Sequence, residues 1–350
     1  MNTSPHVSFF LPDMRLGGAE RAVATLARTM AKEGARVDLV LVKARGELLK
    51  ELTPAVRVVD LASDRFITSV PKLAQYIKSE RPQALYSHMF DLAVFAAAGI
   101  KLSGVPVKLS STIHSTLSVQ ARESEKMSPG GVKWRLNRAL STWVHRHSVD
   151  SIIAVSHGVA GDFSNFTGIQ PEKIKVIYNP IDIEDILDKS KCPIDHAWLP
   201  PERTIPVALA VGNLKEAKGY DTLLTAFSRV VQKIPARLII IGEGQERGRL
   251  EQLIRKLKLS QYVDLAGARV NPYPYMAACD VFCLSSRREG FGIVLAEALA
   301  LNKPIVATDC ESGPREVLQN GKVGTLVPVD DVESFAQAII RILANKAKKA

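Results

Sequence analysis

His6-Val7-Ser8-Phe9-Phe10-Leu11, then Gly17-Gly18-Ala19-Glu20 opening a stretch of helical period that runs to Gly34, then Val37-Asp38-Leu39-Val40-Leu41-Val42: this segment decides the fold. An apolar run, a glycine turn, an amphipathic helix and a second apolar run specify two parallel strands joined by a crossover helix. Outward from it the rhythm repeats, with strand-like runs near residues 56–60, 84–87, 107–111, 151–155 and 175–177. After a polar, proline-containing stretch at 188–206 it restarts, with runs near 207–211, 237–241, 262–265, 281–284, 304–307 and 325–327. The expected fold class is therefore α/β, with two Rossmann-like domains built on parallel sheets. The turn Tyr178-Asn179-Pro180-Ile181-Asp182 marks the boundary, giving domains 1–179 and 180–350.

Composition agrees. The 350 residues are 46% hydrophobic, enough for two cores. Every long apolar stretch is interrupted before the roughly 20 residues that span a bilayer. Residues 1–11 lack a basic leader region, so no signal peptide is expected. Cys192, Cys279, Cys283 and Cys310 are too few and too scattered for a disulfide framework, which suits a reducing cytoplasm, and Cys279 and Cys283 are expected as core thiols. Cys279 and Cys283 have no second Cys or His pair at zinc spacing, so no metal site is expected. The net charge of +10 is uneven: residues 1–180 carry 23 Lys and Arg against 15 Asp and Glu, and the remainder 23 against 21. A basic first half implies an anionic partner. The expected location is the cytoplasm, with peripheral attachment to the inner face of the membrane as one form that charge would take.

The chemistry concentrates in four places. Gly17 and Gly18 let backbone amides approach a phosphate at a helix start, a structural tight turn being the alternative. Ser285-Ser286-Arg287-Arg288-Glu289-Gly290-Phe291-Gly292-Ile293-Val294-Leu295-Ala296-Glu297-Ala298 follows an apolar strand and opens a helix. There the amides of Phe291, Gly292 and Ile293 suit a diphosphate along the helix dipole, and Glu289 and Glu297 suit sugar hydroxyls beside it; carboxylates at such a start also serve simply as dipole complements. Gly212-Asn213-Leu214-Lys215-Glu216-Ala217-Lys218-Gly219 offers Lys218, and secondarily Lys215, to neutralise a departing diphosphate. Two histidines at strand ends, His114 and more weakly His88, stand where open parallel sheets line a ligand crevice, against the bland reading of hydrogen-bonded scaffold. Ile241-Gly242-Glu243-Gly244 with Gly248 tempts a nicotinamide reading, but its spacing is not that of the dinucleotide fingerprint.

Together the Gly17-Gly18 turn, the Gly-x5-Lys-Gly loop, Ile241-Gly242-Glu243-Gly244 and the Glu289-x7-Glu297 pair resemble the group 1, family-four retaining glycosyltransferases of GT-B fold, over about residues 16–329. The resemblance implies two Rossmann-like domains whose parallel sheets face a central cleft, with the donor held by the second, the acceptor entering from the first, and closure bringing them together. It implies catalytic roles for His114, Lys218 and Glu289. Donor contacts are implied at Gly17, Gly18, Asn213, Gly267, Gly290, Phe291, Gly292, Ile293 and Glu297, with Glu297 on the ribose and the Leu265-Ala266-Gly267 backbone towards the base. No metal and no cofactor beyond the nucleotide-sugar substrate, a UDP-sugar, are implied, and the chain has no Asp-x-Asp triplet. Two departures stand out. Asn213 replaces the arginine that commonly follows the phosphate-loop glycine, and the chain stops soon after its last helix. The implied function is hexosyl transfer to a glycan or lipid-linked acceptor in cell-surface polysaccharide or glycolipid synthesis. An NAD-dependent oxidoreductase and a non-catalytic nucleotide-sugar binding protein are the alternatives.

The acceptor side is read from residues 132–146, where basic residues accompany Trp134 and Trp143. This stretch is either an interfacial helix touching an anionic membrane or a crossover helix burying Leu136, Leu140, Trp143 and Val144, and both readings stay open. No nucleic-acid partner is expected, since no recognition module accompanies the charge.

Overall fold

A computed structural model describes residues 4–119, 121 and 132–347. The chain divides into two compact units, Met1–Pro180 and Ile181–Ala350.

The first unit carries seven strands: β1 (His6–Leu11), β2 (Arg36–Leu41), β3 (Val56–Asp60), β4 (Ala84–Ser87), β5 (Lys108–Ile113), β6 (Ser151–Ala154) and β7 (Ile174–Val176). They form one sheet in the order β3-β2-β1-β4-β5-β6-β7, and every pairing is parallel. The second carries β8 (Val207–Val211), β9 (Arg237–Ile241), β10 (Val263–Gly267), β11 (Val281–Leu284), β12 (Ile305–Thr308) and β13 (Thr325–Val327), ordered β10-β9-β8-β11-β12-β13. Its pairings are parallel too. Both are doubly wound Rossmann sheets whose strand order reverses once, between β1 and β4 in the first and between β8 and β11 in the second. At such a reversal the loops leaving the carboxyl ends of the two strands part, and the gap receives a ligand.

Period-2 alternation covers both faces of each sheet, because crossover helices lie on both sides. In the second unit Ala208, Ala210, Leu238 and Ile240 pack with Leu223, Phe227, Phe335 and Ile339. Their neighbours Val207, Leu209, Ile239 and Ile241 pack on the other side with Met276, Leu295 and Ala298. In the first unit Val7, Phe9 and Leu11 meet Val23 and Ala27, while Phe10, Val40 and Leu85 meet Leu73, Ile77 and Ala96. Each Val, Leu, Ile, Phe or Met among these contributes about 1.5–3 kcal/mol by leaving water, and each Ala less.

One polar cluster interrupts the first core. Asp38 of β2 is fully buried and accepts from His6 Nε2 at 2.8 Å, Tyr76 Oη at 2.6 Å and Arg57 Nε at 2.8 Å. Strand register brings it there, since Asp38 pairs with Ser8 of β1 and Arg57 of β3. Cys279 and Cys283 are buried thiols as expected, and so is Cys310, whereas Cys192 is exposed. It lies in the polar stretch before β8, which has no sheet to bury it. Among the described residues no helix is long and apolar enough to cross a membrane.

Candidate active site

The second unit's reversal point is built from the loops after β8 and β11. After β8 the chain makes a 3-10 turn at Glu216–Lys218 and enters the helix Tyr220–Val231 through Gly219. Gly219 has φ +59°, and a Cβ placed on it would lie 2.1 Å from Ser285 O. Only glycine allows that approach. Three bonds then staple the loops together: Ser285 Oγ donates to Lys218 O at 2.8 Å, Arg287 N to Ala217 O at 2.8 Å, and Arg287 Nη1 to Glu216 O at 2.9 Å. Gly219→Ala is accordingly expected to destabilise the protein by about 1–3 kcal/mol, the usual size of backbone strain at a site that cannot relax. A melting temperature equal to that of the unsubstituted protein would show that the loops yield freely.

The staple places Lys218 Nζ 2.6 Å from Glu289 Oε1, with the two side chains 25% and 10% exposed. Ser286 Oγ, fully buried, donates to the same oxygen at 2.6 Å, and Ser312 Oγ donates to Glu289 O. Glu289 is thus fixed at both backbone and carboxylate, carrying a lysine that reaches it from the other loop. Gly290, Phe291 and Gly292 are buried and lead into the helix Ile293–Ala300, which starts at Gly292 with no side-chain cap. That helix start offers its dipole and amides beside the Lys218–Glu289 pair. One turn on, Glu297 is 2% exposed and accepts from Tyr273 Oη at 2.9 Å. Burial, and then the charge of Glu289, raise the Tyr220 phenol well above its ordinary pKa, so Tyr220 stays a donor and holds Gly212 O at 2.9 Å.

The remaining predicted residues of this unit fall around that centre. Asn213 lies in the β8 loop, Lys215 is exposed, and Gly267 ends the edge strand β10, where its carbonyl accepts from Gly242 N at 3.0 Å. A Cβ on Gly242 would stand 2.0 Å from Gly212 O, so the Gly242 position that tempted a nicotinamide reading serves close packing of two loops. Ser286, Ser312 and Tyr273, which orient the two acids, carried no signal in the sequence: serines beside glycine and a tyrosine in an apolar stretch look like any turn or core residue.

In the first unit the reversal point holds the loop after β1 and His88 after β4. Gly17 has the extended backbone (φ −159°, ψ 160°) that any residue adopts, so a tight turn is not what calls for glycine there; a Cβ would meet the Glu20 carboxylate at 2.1 Å. Gly18 is exposed and opens the helix Gly18–Lys32. His88 Nδ1 lies 3.0 Å from His114 Nε2, the two strand-end histidines forming a pair. His88 is 4% exposed, and its Nε2 and the neighbouring Ser87 Oγ have no hydrogen-bond partner among the described residues. Burial holds His88 well below its ordinary pKa, reinforced by His114, and burial lowers His114 to about 4. Both rings are neutral near pH 7, so one N–H is shared between them. An unpartnered ring nitrogen costs less as a lone pair than as a stranded N–H. The tautomer that leaves a lone pair on His88 Nε2 is the one in which His88 Nδ1 donates to His114 Nε2; the opposite tautomer reverses that bond. Among the described residues no group of three or more His, Cys, Asp or Glu could hold a metal ion.

Two family models match the chain in succession: Glycosyltransferase Family 4 over residues 16–185, and Glycosyl transferases group 1 over residues 196–350. A Campylobacter jejuni relative, N-acetylgalactosamine-N,N'-diacetylbacillosaminyl-diphospho-undecaprenol 4-alpha-N-acetylgalactosaminyltransferase, is 36% identical over 57% of this chain and 53% of its own length. N-acetyl-alpha-D-glucosaminyl L-malate synthase of Bacillus anthracis is 25% identical over 79% of this chain and 69% of its own. The chain spans 44–60% of the length of the first three curated relatives that it matches. Among solved structures, Anabaena HepE in complex with UDP-glucose superposes with a TM-score of 0.78 at 22% identity, covering 98% of this chain and 90% of that one.

Proposed function

Because the chain belongs to the group 1, family-four glycosyltransferases and has their GT-B fold, we propose that it is a retaining, metal-independent hexosyltransferase using a UDP-sugar. The acceptor is a glycan or lipid-linked glycan in the synthesis of cell-surface polysaccharide or glycolipid. The observation that carries the reading is the Lys218–Glu289 pair, held at the reversal point of the second sheet beside an uncapped helix start. An anion suits the amides and the lysine, while a neutral, hydroxylated group suits Glu289. A sugar diphosphate is both in one molecule. The C. jejuni relative, named for a diphospho-undecaprenol substrate, and HepE, crystallised with UDP-glucose, support the acceptor and donor classes.

In this reading the second unit holds the donor and the first supplies the acceptor. The bond from the anomeric carbon to the diphosphate oxygen breaks as the acceptor oxygen attacks from the same face. The departing diphosphate takes the acceptor's proton, while Lys218 and the amides of Phe291, Gly292 and Ile293 stabilise the charge that gathers on it. His114, paired with His88, is the first unit's candidate catalytic residue.

A thermal-shift panel of UDP, GDP and NAD tests the donor. At a hundredfold excess over its dissociation constant, a ligand stabilises by about 2.7 kcal/mol. That corresponds to about 5–10 °C in a domain of this size, and it is expected with UDP. Stabilisation by NAD alone would overturn the reading in favour of an oxidoreductase. UDP binding with neither transfer nor donor hydrolysis in product assays would leave a binding protein.

A further inference from the structure

One guanidinium joins the Lys218 turn to the start of the second unit's last helix, Val332–Ala347. Arg287 uses all three of its nitrogens. Nε donates to both oxygens of Asp330 at 2.8 and 3.0 Å, Nη1 to Glu216 O at 2.9 Å, and Nη2 to Asp221 Oδ1 at 2.9 Å and Thr222 Oγ1 at 3.2 Å. Glu216 opens the 3-10 turn that carries Lys218, and Asp221 and Thr222 stand in the first turn of the helix after it. One planar group thus grips the chain on both sides of Lys218.

Asp330 anchors that group. It has a left-handed backbone, φ +59°, and its Oδ1 also accepts from Thr222 Oγ1 at 2.7 Å. Its neighbour Asp331 caps the helix Val332–Ala347, accepting from Ser334 N at 3.0 Å and Ser334 Oγ at 2.7 Å. The loop is therefore tied to its own helix while Asp330 turns to Arg287 and Thr222. Stability does not account for so many bonds. The Arg287 and Asp221 side chains are 25% exposed and that of Asp330 51%, and ion pairs this open to water add little to folding. Orientation does account for them, because a rigid fork holds several acceptors at set angles, which a flexible ammonium cannot.

We propose that Arg287 is a positioning residue, which holds the Glu216–Lys218 turn so that the Lys218 ammonium meets the diphosphate, with Asp330 as its anchor. It acts through Lys218 and not on the donor itself. What it orients is the lysine that reaches Glu289 at 2.6 Å, and a misplacement of about 1 Å at a reacting group can cost about a hundredfold in rate. The inference rests on the donor reading given above for Lys218.

Hydrogen exchange of the full chain, and calorimetric titration with UDP and with uridine, test it. Arg287→Lys keeps the charge and loses the fork. In that variant the amides of Lys218, Gly219 and Thr222, which bond to Lys215 O, Glu216 O and Asp221 Oδ1, are expected to exchange about tenfold faster. UDP is expected to bind about tenfold more weakly, while uridine, which has no phosphate for Lys218, binds as before. Lys218→Ala is expected to weaken UDP at least as much, and adding Arg287→Lys to it to change the affinity less than about twofold, since the group it positions is gone. If Arg287→Lys fails to fold, Asp330→Asn carries the test and is expected to show the same pattern. Three results would each overturn the proposal: unchanged exchange of those amides, uridine weakened together with UDP, or a loss that multiplies in the Lys218→Ala background. If UDP does not bind the unsubstituted protein, it is the donor reading that falls, and the exchange of the turn alone decides whether Arg287 holds it.

Discussion

Lys218→Ala is expected to lower the turnover number of sugar transfer at least a hundredfold in a protein that still folds. A hundredfold is about 2.7 kcal/mol, the size of effect seen when one preorganised group is removed from charge that develops only in the transition state. Lys218 is suited to that role by its setting. Its ammonium is held 2.6 Å from Glu289 while its carbonyl is fixed by Ser285, so little reorganisation is needed when a diphosphate arrives. Folding should survive, because Glu289 keeps the hydrogen bond from Ser286 and is not left unpaired. Glu289→Ala is expected to cost a similar factor, and the double variant less than the product of the two, as for residues acting as one unit. Turnover within tenfold of the unsubstituted enzyme in folded Lys218→Ala would remove the assignment.

The largest stability effect is expected in the first unit. Asp38→Ala should cost about 3–5 kcal/mol, because it opens a hole and removes the buried acceptor that His6, Tyr76 and Arg57 share, leaving Tyr76 only Ser8 and Arg57 only Glu80. In a unit of this size that is a fall of about 10 °C or more in the melting temperature of the first unit, with UDP binding to the second unaffected. The pH dependence has a definite sign. Burial pushes the Asp38 carboxyl up, but hydrogen bonds from Arg57, Tyr76 and His6 outweigh it and hold the pKa below its ordinary 3.8. The unfolded chain therefore takes up the proton first, and this stabilisation is present above about pH 4 and lost as pH falls below it. A shift of less than about 3 °C in Asp38→Ala, or acid unfolding unchanged from the unsubstituted protein, would show that the network contributes little.

Strand positions were legible to within a residue or two: the run at 37–42 became Arg36–Leu41 and that at 304–307 became Ile305–Thr308. Alternation is a local property, and strand ends depend on which partner carbonyls are in reach. The turn from Glu289 to Ile293 was legible as a candidate site because all its parts are consecutive. Ser312 and Tyr273 were not, since each acts across a gap of more than twenty residues and nothing local marks a serine or a tyrosine that will point at a carboxylate.

By itself the sequence determined the α/β class, the two parallel sheets and the loops of the candidate site, because hydrophobic period and glycine turns are written in neighbouring residues. Tertiary structure alone decided three things. It joined Lys218 to Glu289 across 71 positions, paired His88 with His114, and turned Leu136, Leu140 and Trp143 outward. The reason is common to all three: a periodic pattern states that a helix or strand has two faces, but which face meets the core, and which side chains meet across it, is set by packing between segments distant in the chain.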